Sequence, residues 1–264
     1  KGQAQNVPWY GAGASATPRL GDTIGDNLAR TVERVPDAEA RVDVPSGRRW
    51  SYAELDADVT ALALGLLAKG VQAGDRIGIW SPNCPEWTLL QYATATVGAV
   101  LVNVNPAYRS HELAYVLRQS GMRLLVSAVT HRTSDYRAMI NEVRAQSDDL
   151  RDVVYIGEGS WDELVATAVG AARPEQLAEL DRRMAALSPD DAINIQYTSG
   201  TTGFPKGATL SHHNILNNGF FVGELVGYPE LDRICLPVPF YHCFGIVMGN
   251  LAAPSPGSCM VIPA

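Results

Sequence analysis

Apolar residues recur along this chain at two spacings, and the alternation of those spacings predicts an alternation of helices and strands. Apolar positions at helical spacing predict a short helix over Gly25–Val35, which Pro36 ends. Ser51 and Glu54 stand at the spacing of a capping box and predict the start of a second helix, which Gly70 closes. Two amphipathic helices therefore open the pattern.

From about residue 75 onward, short apolar runs alternate with amphipathic segments. This order is typical of an α/β fold, a mostly parallel sheet flanked by helices. The predicted strands are Ala40–Val44 and Arg48–Ser51 (a hairpin), Asp75–Trp80, Ala99–Val104, Met122–Ser127, Val153–Ile156, Ala192–Tyr197, Arg233–Val238 and Ser258–Ile262. The further predicted helices are Pro85–Val97, Ser110–Gln119, Ser134–Ala145, Trp161–Gly170, Pro174–Leu187 and Ser211–Asn218.

The last predicted strand, Ser258–Ile262, follows a stretch with two prolines, Pro254 and Pro256. Prolines at this spacing disfavour a continuous helix before the strand. We therefore expect this strand to have an exposed edge or to lack a neighbour.

Composition places the chain among globular proteins with a sizeable core: it has 264 residues, of which 46% are hydrophobic and 19% charged. A formal net charge of −7 argues against a nucleic acid or an anionic membrane as partner. The longest apolar stretch, Ala93–Val104, is shorter than the roughly 20 residues of a membrane-spanning helix. The first ten residues lack the apolar run of a signal peptide, so we predict a cytoplasmic protein without a transmembrane segment.

The cysteines do not predict disulfides or a metal centre. The chain has four cysteines, and none of them shows C-x-x-C spacing, which is typical of free thiols. His242 and Cys243 are neighbours, but no further ligand stands at the spacing of a zinc site. We therefore predict no metal-ligating residue in the chain.

The most informative stretch is residues 198–207, which we call the cradle. It follows the apolar strand Ala192–Tyr197 and reads Thr-Ser-Gly-Thr-Thr-Gly-Phe-Pro-Lys-Gly. Its glycines let the backbone approach a ligand closely, so that successive N–H groups can converge on an anion. Lys206 adds a compact positive charge. Because lysines are rare in this chain, a lysine at this position indicates that a compact ammonium group is needed. Further hydrogen-bond donors come from the hydroxyls of Thr198, Ser199, Thr201 and Thr202.

Two other interpretations of the cradle are less consistent with its residues. A flexible Ser/Thr/Gly linker would rarely stand between a buried strand and a capped helix. The phosphate-binding loop G-x-x-x-x-G-K-[ST] differs in spacing, because Pro205 stands where it needs glycine and Gly207 where it needs Ser or Thr. The sequence therefore favours a phosphate-binding loop of another kind.

A second candidate is His242, which lies between aromatic residues in the stretch Pro-Phe-Tyr-His-Cys-Phe-Gly, just past the predicted strand Arg233–Val238. Gly245 gives the backbone freedom to turn there. One interpretation is a packed histidine whose ring is satisfied by the backbone, and the other is a residue of a functional site. Residue pattern alone favours the first.

The cradle resembles the signature loop of the adenylate-forming, or acyl-activating, superfamily, and residues 239–245 are similar to its P-x-F-H-x-x-G segment. Residues 103–108, 194–218 and 241–245 are similar to medium-chain acyl-CoA ligases of the acyl-CoA synthetase family member 2 type. The resemblance runs from about Pro18 to the end. It implies that residues 1–264 are the N-terminal portion of the large AMP-binding (adenylation) domain of acyl-CoA synthetases, with a lead-in over residues 1–20.

The resemblance also implies an activity: a fatty acid reacts with ATP to give an acyl-adenylate, which then transfers its acyl group to coenzyme A. ATP, Mg²⁺, coenzyme A and the fatty acid are the implied cofactors and small-molecule partners. His242 would lie between the nucleotide and the acyl pocket, as a positioning or gating residue, and would count with Lys206 as catalytic. The residues implied to hold the ATP phosphates are Thr198, Ser199, Gly200, Thr201, Thr202, Gly203 and Lys206.

Several segments of the superfamily do not occur in this chain. It has no Y-G-x-T-E segment, whose glutamate holds Mg²⁺, and no T-G-D segment, whose aspartate binds the ribose. The small C-terminal domain with its catalytic lysine is also absent, so we expect the chain alone to be inactive. Three alternatives stay open: an aryl-CoA ligase, an amino-acid adenylation enzyme, and an inactive nucleotide-binding or structural fragment.

Overall fold

Two main β-sheets and the helices around them make up the computed structural model, which describes residues 17–166, 172–198 and 205–263. The strands are β1 Glu39–Asp43, β2 Arg49–Ser51, β3 Arg76–Trp80, β4 Val100–Asn103, β5 Met122–Ser127, β6 Thr130–His131, β7 Ser134–Asp135, β8 Asp152–Tyr155, β9 Ala192–Thr198, β10 Lys206–Ser211, β11 Arg233–Cys235 and β12 Cys259–Ile262. The helices are α1 Ile24–Arg34, α2 Tyr52–Ala68, α3 Pro85–Val97, α4 Ser110–Ser120, α5 Tyr136–Val143 with a 3₁₀ turn Arg144–Gln146, α6 Gly159–Leu164, α7 Pro174–Ala185, α8 His212–Val226 and α9 Cys243–Ile246.

The larger sheet has six strands in the order β10-β9-β4-β3-β5-β8, and all of them are parallel except β10. Its central strands are buried on both faces, as parallel strands flanked by helices must be. Leu101 of β4 belongs to the apolar core on one face and Val102 to the core on the other. The carboxyl ends of β3, β4 and β9 lie at the same edge, where ligands of open α/β sheets bind. The predicted mostly parallel sheet flanked by helices is confirmed.

The smaller sheet has the order β11-β12-β1-β2 and brings together strands from both ends of the chain. Strand β12 pairs in parallel with β11 on one side and with β1 on the other, so that Met260 faces both Ile234 and Arg41. The expected exposed edge of the last strand is therefore wrong. Its two neighbours are distant in sequence, and local pattern does not show such pairings.

Local signals set most element boundaries. The capping boxes at Thr23 and Ser51 begin α1 and α2, and α3 has the bounds that the sequence predicts. Several segments differ from the prediction. Helix α5 begins at Tyr136 instead of Ser134, because Ser134 and Asp135 pair with β6. The predicted strand over Arg233–Val238 ends at Cys235. The predicted helix Trp161–Gly170 ends as α6 at Leu164, and residues 167–171 lie outside the described residues.

The segment after the cradle is also different from the prediction. The sequence predicts a helix start at Ser211, which is confirmed, but not the strand β10 before it. This strand is an edge strand with mostly half-exposed or exposed side chains, so it lacks an apolar alternation. Helix α8 continues past Asn218 to Val226. A side chain at Gly219 would come within 2.9 Å of the Val247 carbonyl oxygen, so this glycine permits a close helix contact rather than ending the helix.

No helix in the described ranges combines the length and the apolar character that crossing a membrane requires.

Candidate functional site

The cradle is bracketed by two paired strands at the carboxyl edge of the larger sheet. Thr198 ends β9 and Lys206 begins β10, and their Cα atoms are partners in the antiparallel ladder. The Thr198 hydroxyl oxygen lies 3.5 Å from the Lys206 carbonyl oxygen, and both residues are exposed. The ladder therefore places a lysine ammonium and a threonine hydroxyl, both donors, at the base of one loop. The predicted site residues within that loop, which lie outside the described residues, are Ser199, Gly200, Thr201, Thr202 and Gly203.

Tyr115 of α4 holds the exit of the cradle. Its hydroxyl donates a hydrogen bond to the Pro205 carbonyl oxygen at 3.1 Å. Since Pro205 directly precedes Lys206, this bond ties the start of β10 to a helix of the core. No sequence pattern points to Tyr115, because only the packing of α4 against the sheet brings it there.

If the cradle binds ATP, as the sequence resemblance implies, we expect Tyr115→Phe to raise the KM for ATP about threefold to tenfold, since a net hydrogen bond contributes roughly 0.5–1.5 kcal/mol. The turnover at saturating ATP should change less, because the substitution leaves Lys206 in place. Steady-state kinetics of the full-length protein measures both constants. Tyr228→Phe, near the end of α8, is the matched control; equal KM values for the two variants would contradict a role of Tyr115 in holding the cradle.

His242 stands at the N-cap of α9, just beyond the short strand β11. Its Nδ1 accepts a hydrogen bond from the Phe244 backbone N–H at 3.2 Å, and its side chain is exposed. A neutral imidazole that accepts at Nδ1 carries its proton on Nε2, so the ring offers a hydrogen-bond donor on its far side. The ring is therefore not a packed core histidine, although the backbone does satisfy one of its nitrogens.

Two asparagines hold the backbone that leads to His242. The Asn83 amide accepts from the Phe240 N–H and donates to the Val238 carbonyl oxygen, both at 2.8 Å. The Asn103 amide nitrogen donates to the Phe240 carbonyl oxygen at 3.3 Å. Asn83 follows β3 and Asn103 ends β4, so the carboxyl edge of the sheet carries this segment. Asn103 belongs to a stretch of family resemblance, but no sequence pattern predicts this role for either asparagine.

Phe240 anchors the same segment from the side of the smaller sheet. The guanidinium carbon of Arg41 lies 5.7 Å from the Phe240 ring and 5.8 Å from the Trp50 ring. Arg41 also donates to the Pro85 carbonyl oxygen at 3.0 Å. Burial lowers the pKa of Arg41 to about 10. A buried cation between two aromatic rings thus fixes the residue two positions before His242.

A cavity of about 400 Å³ opens beside the His242 segment. It lies between the segment that follows β4 and the β6–β7 hairpin, and Arg109, Arg132 and Tyr241 line it. Arg109 also donates a hydrogen bond to the Ser134 hydroxyl at 2.7 Å. The guanidinium groups of Arg109 and Arg132 favour an anionic occupant of this cavity.

His212 is the first residue of α8, directly after β10. Its Nδ1 accepts from the Ile24 N–H at 3.1 Å, and the side chain is fully buried. Burial lowers the pKa of His212 to about 4, against a smaller opposing effect of the carboxylates of Asp191 and Asp26. The ring is therefore neutral in the folded chain at neutral pH and serves the packing of α1 against α8.

Because the pKa of His212 is lower in the folded chain than its usual value of about 6.5, the unfolded chain binds more protons between about pH 4 and pH 6.5. The free energy of unfolding therefore contains the full contribution of His212 above pH 6.5. This contribution is lost as the pH falls toward 4, by about 3 kcal/mol at most. We expect His212→Asn, which keeps an acceptor near Nδ1, to lose this part of the pH dependence in urea unfolding. His111→Asn, an exposed control on α4, should keep it; identical slopes for wild type and His212→Asn would contradict the assignment.

The fold and this edge of the sheet define a class of protein. The model of the family "AMP-binding enzyme" matches residues 28–264, and the chain belongs to that family. The similar proteins include the mitochondrial medium-chain acyl-CoA ligase ACSF2 of Danio rerio, which is 40% identical over 273 residues, a match that covers 97% of this chain and 45% of that protein. The chain thus spans less than half the length of this relative.

Solved structures agree with the family. The inhibitor-bound N-terminal domain of FACL13 from Mycobacterium tuberculosis has a TM-score of 0.77 at 26% identity, over 92% of this chain and 57% of that one. The Mycobacterium tuberculosis fatty acyl CoA synthetase has a TM-score of 0.75 at 25% identity, over 91% of this chain and 44% of that one. The fold is therefore that of the N-terminal part of acyl-CoA synthetases.

Proposed function

We propose that the protein to which this chain belongs is an acyl-CoA synthetase that activates a medium-chain fatty acid. The carboxylate oxygen of the acid attacks the α-phosphorus of ATP, and pyrophosphate leaves. The thiol of coenzyme A then attacks the acyl carbon, loses its proton, and AMP leaves. The observation that carries this proposal is the β9–β10 hairpin, which sets Thr198 and Lys206 at the base of a Gly/Ser/Thr loop.

In this proposal the cradle binds the β- and γ-phosphates of ATP. The Lys206 ammonium and the Thr198 hydroxyl meet the charge that builds up on the departing pyrophosphate, and fixed donors of this kind lower the barrier without reorganising. The remaining contacts would come from the proposed residues Ser199, Gly200, Thr201, Thr202 and Gly203. His242 would position the junction of acid and nucleotide through its Nε2–H, because Nδ1 is already bonded to Phe244.

Coenzyme A and Mg²⁺ complete the proposed chemistry. The cavity lined by Arg109 and Arg132 has the charge to receive the phosphates of coenzyme A. Mg²⁺ would neutralise charge on the ATP phosphates. Among the residues that the structure describes, no group of three or more His, Cys, Asp or Glu could hold a metal ion, so we derive no step through it.

The test is acid-dependent ATP–pyrophosphate exchange by the full-length protein. The acids are a series from acetate to palmitate, with benzoate and the amino acids added. Exchange that peaks with medium-chain fatty acids supports the proposal and identifies the substrate class. Exchange only with benzoate or an amino acid would keep the adenylating chemistry and replace the substrate. No exchange with any acid, from folded protein, would contradict the proposed function.

We further propose that residues 1–264 are the N-terminal portion of the adenylation domain, with residues 1–20 as its lead-in, and that they do not catalyse the reaction alone. The same assay on this chain without further residues tests the second point, and measurable exchange would contradict it. Equilibrium dialysis with ATP then separates a fragment that binds nucleotide from a structural one.

We keep the cytoplasm as the proposed compartment, although the Danio rerio relative is named as mitochondrial; imaging of the tagged protein decides between them.

A further inference from the structure

Three buried amide side chains form a continuous chain across the carboxyl edge of the larger sheet. The Gln196 amide nitrogen donates to the Asn194 side-chain oxygen at 2.9 Å, and the Asn194 nitrogen donates to the Asn103 side-chain oxygen at 2.8 Å. The Asn103 nitrogen then donates to the carbonyl oxygen of Phe240 at 3.3 Å. The chain of donors therefore runs from the strand that enters the cradle to the segment that carries His242.

The register of the sheet places these amides side by side. Asn103 of β4 is the Cα partner of Gln196 of β9, and Leu101 is the partner of Asn194. The Asn194 nitrogen also donates to the Leu101 carbonyl oxygen at 2.9 Å, which holds its amide in one orientation. Asn103 and Asn194 are each only 2% exposed, and Gln196 is 7% exposed. Water therefore does not compete for these bonds.

Asn103 is the member that joins two parts of the site. Its oxygen accepts from β9 while its nitrogen donates to the carbonyl oxygens of Phe240 and, at 3.4 Å, Tyr241. An amide can do both because it has an acceptor and two donors in one plane. Burying polar groups costs stability unless they are hydrogen-bonded, so apolar side chains would fill this position more simply. We therefore look for a role of the three amides beyond packing.

We propose that Asn103 is a positioning residue that sets the backbone of His242 relative to the cradle. This inference rests on the proposed function for its kinetic effect, but not for its structural one. Loss of the Asn103 amide frees the carbonyl oxygens of residues 240 and 241, and His242 follows them directly. The cradle strand and the histidine then no longer share a hydrogen-bonded frame.

Asn217 offers a matched control. It is also a buried asparagine, 7% exposed, and its amide accepts from the Leu20 N–H at 2.8 Å and donates to the Leu20 carbonyl oxygen at 3.0 Å. Asn217→Leu therefore removes a comparable two-way grip on backbone from α8, away from the His242 segment. A merely structural role of Asn103 predicts that the two variants behave alike.

The experiment is a double-mutant cycle in the full-length protein with Asn103→Leu, His242→Ala and their combination. We expect Asn103→Leu to lower the exchange rate at saturating ATP about tenfold, and the same substitution in the His242→Ala background to cost less than about twofold. Asn217→Leu should leave the exchange rate within about twofold. Equal costs in both backgrounds would show that Asn103 does not act through His242 and would overturn the proposal. Asn103→Ser, which introduces no extra volume, replaces Asn103→Leu if that variant does not fold.

Hydrogen–deuterium exchange tests the inference without any activity. We expect Asn103→Leu to increase amide exchange in residues 238–247 relative to wild type, whereas Asn217→Leu leaves this peptide unchanged. Unchanged exchange in that peptide would overturn the proposal even in an active enzyme. A wild-type protein that activates no acid would overturn the proposed function, and the amide exchange would then decide the role of Asn103.

Discussion

Lys206→Ala in the full-length protein is expected to lower acid-dependent ATP–pyrophosphate exchange by about 10²- to 10³-fold, the effect of removing one fixed charge donor from a developing oxyanion. Lys206 begins β10 next to Thr198, so its ammonium lies at the base of the cradle. Lys206 is exposed, so its truncation removes little buried surface. The free energy of unfolding should therefore stay within about 0.5 kcal/mol of the wild-type value.

Two further variants separate the lysine's position from its charge. Lys69→Ala removes another of the rare lysines, whose ammonium lies 3.7 Å from Asp152 at the far side of the sheet, and it should keep wild-type exchange. Lys206→Arg keeps the charge but spreads it over a planar guanidinium, so we expect only a partial recovery of the rate. An unchanged exchange rate in Lys206→Ala would remove this residue from the mechanism and with it the main support for the phosphate cradle.

Elements whose ends depend on adjacent residues could be predicted from the sequence. Helix α3 begins at Pro85, which suits the first turn because it needs no N–H donor, and Gly98 ends it in a left-handed conformation with φ of 76°. The bounds of α3 and of β5 agree with the prediction. Strand β10 could not be predicted in the same way, because an exposed edge strand shows no alternation of apolar residues.

Pairings between distant segments were beyond local pattern. The smaller sheet joins β1 near the start of the described chain to β12 near its end, with Arg41 opposite Met260. Nothing in either segment indicates the other, so the sequence alone predicts no neighbour for the last strand. The same reason applies to the site. The sequence motifs point to Thr198, Lys206 and His242 as candidates. The hydrogen bonds of Asn83 and Asn103 could not be predicted, because they depend on which strands are neighbours in the sheet.

Gly245 has a different structural reason from the one that the sequence predicts. The sequence suggests that this glycine frees the backbone after His242, yet its backbone does not have a positive φ. A Cβ atom at this position would instead lie 2.5 Å from the Pro239 carbonyl oxygen and 2.9 Å from the Phe240 Cα atom. The glycine is needed because helix α9 packs directly on the segment that leads to His242.

Gly245→Ala is accordingly expected to destabilise the protein by about 1–3 kcal/mol, the usual cost of overpacking, although alanine favours a helix by up to about 1 kcal/mol over glycine. Backbone atoms cannot rotate away as a side chain can, so the segment 239–242 must shift and His242 with it. We expect the exchange rate to fall about tenfold or more at a temperature where the variant is folded, since a displacement of about 1 Å can cost 10²-fold. Urea unfolding and the exchange assay measure the two effects.

Gly159→Ala is the control for this prediction, because Gly159 also belongs to a short helix, α6, and no atom beyond its own chain neighbours and helix backbone lies within 4 Å of the Cβ position. It should be neutral or slightly stabilising and fully active. If Gly245→Ala instead matched this control in both measurements, the turn before α9 would have to adapt without cost. The position of His242 would then not depend on the close approach of α9. The hydrogen bonds of Asn83 and Asn103 to the preceding backbone would have to hold the histidine by themselves.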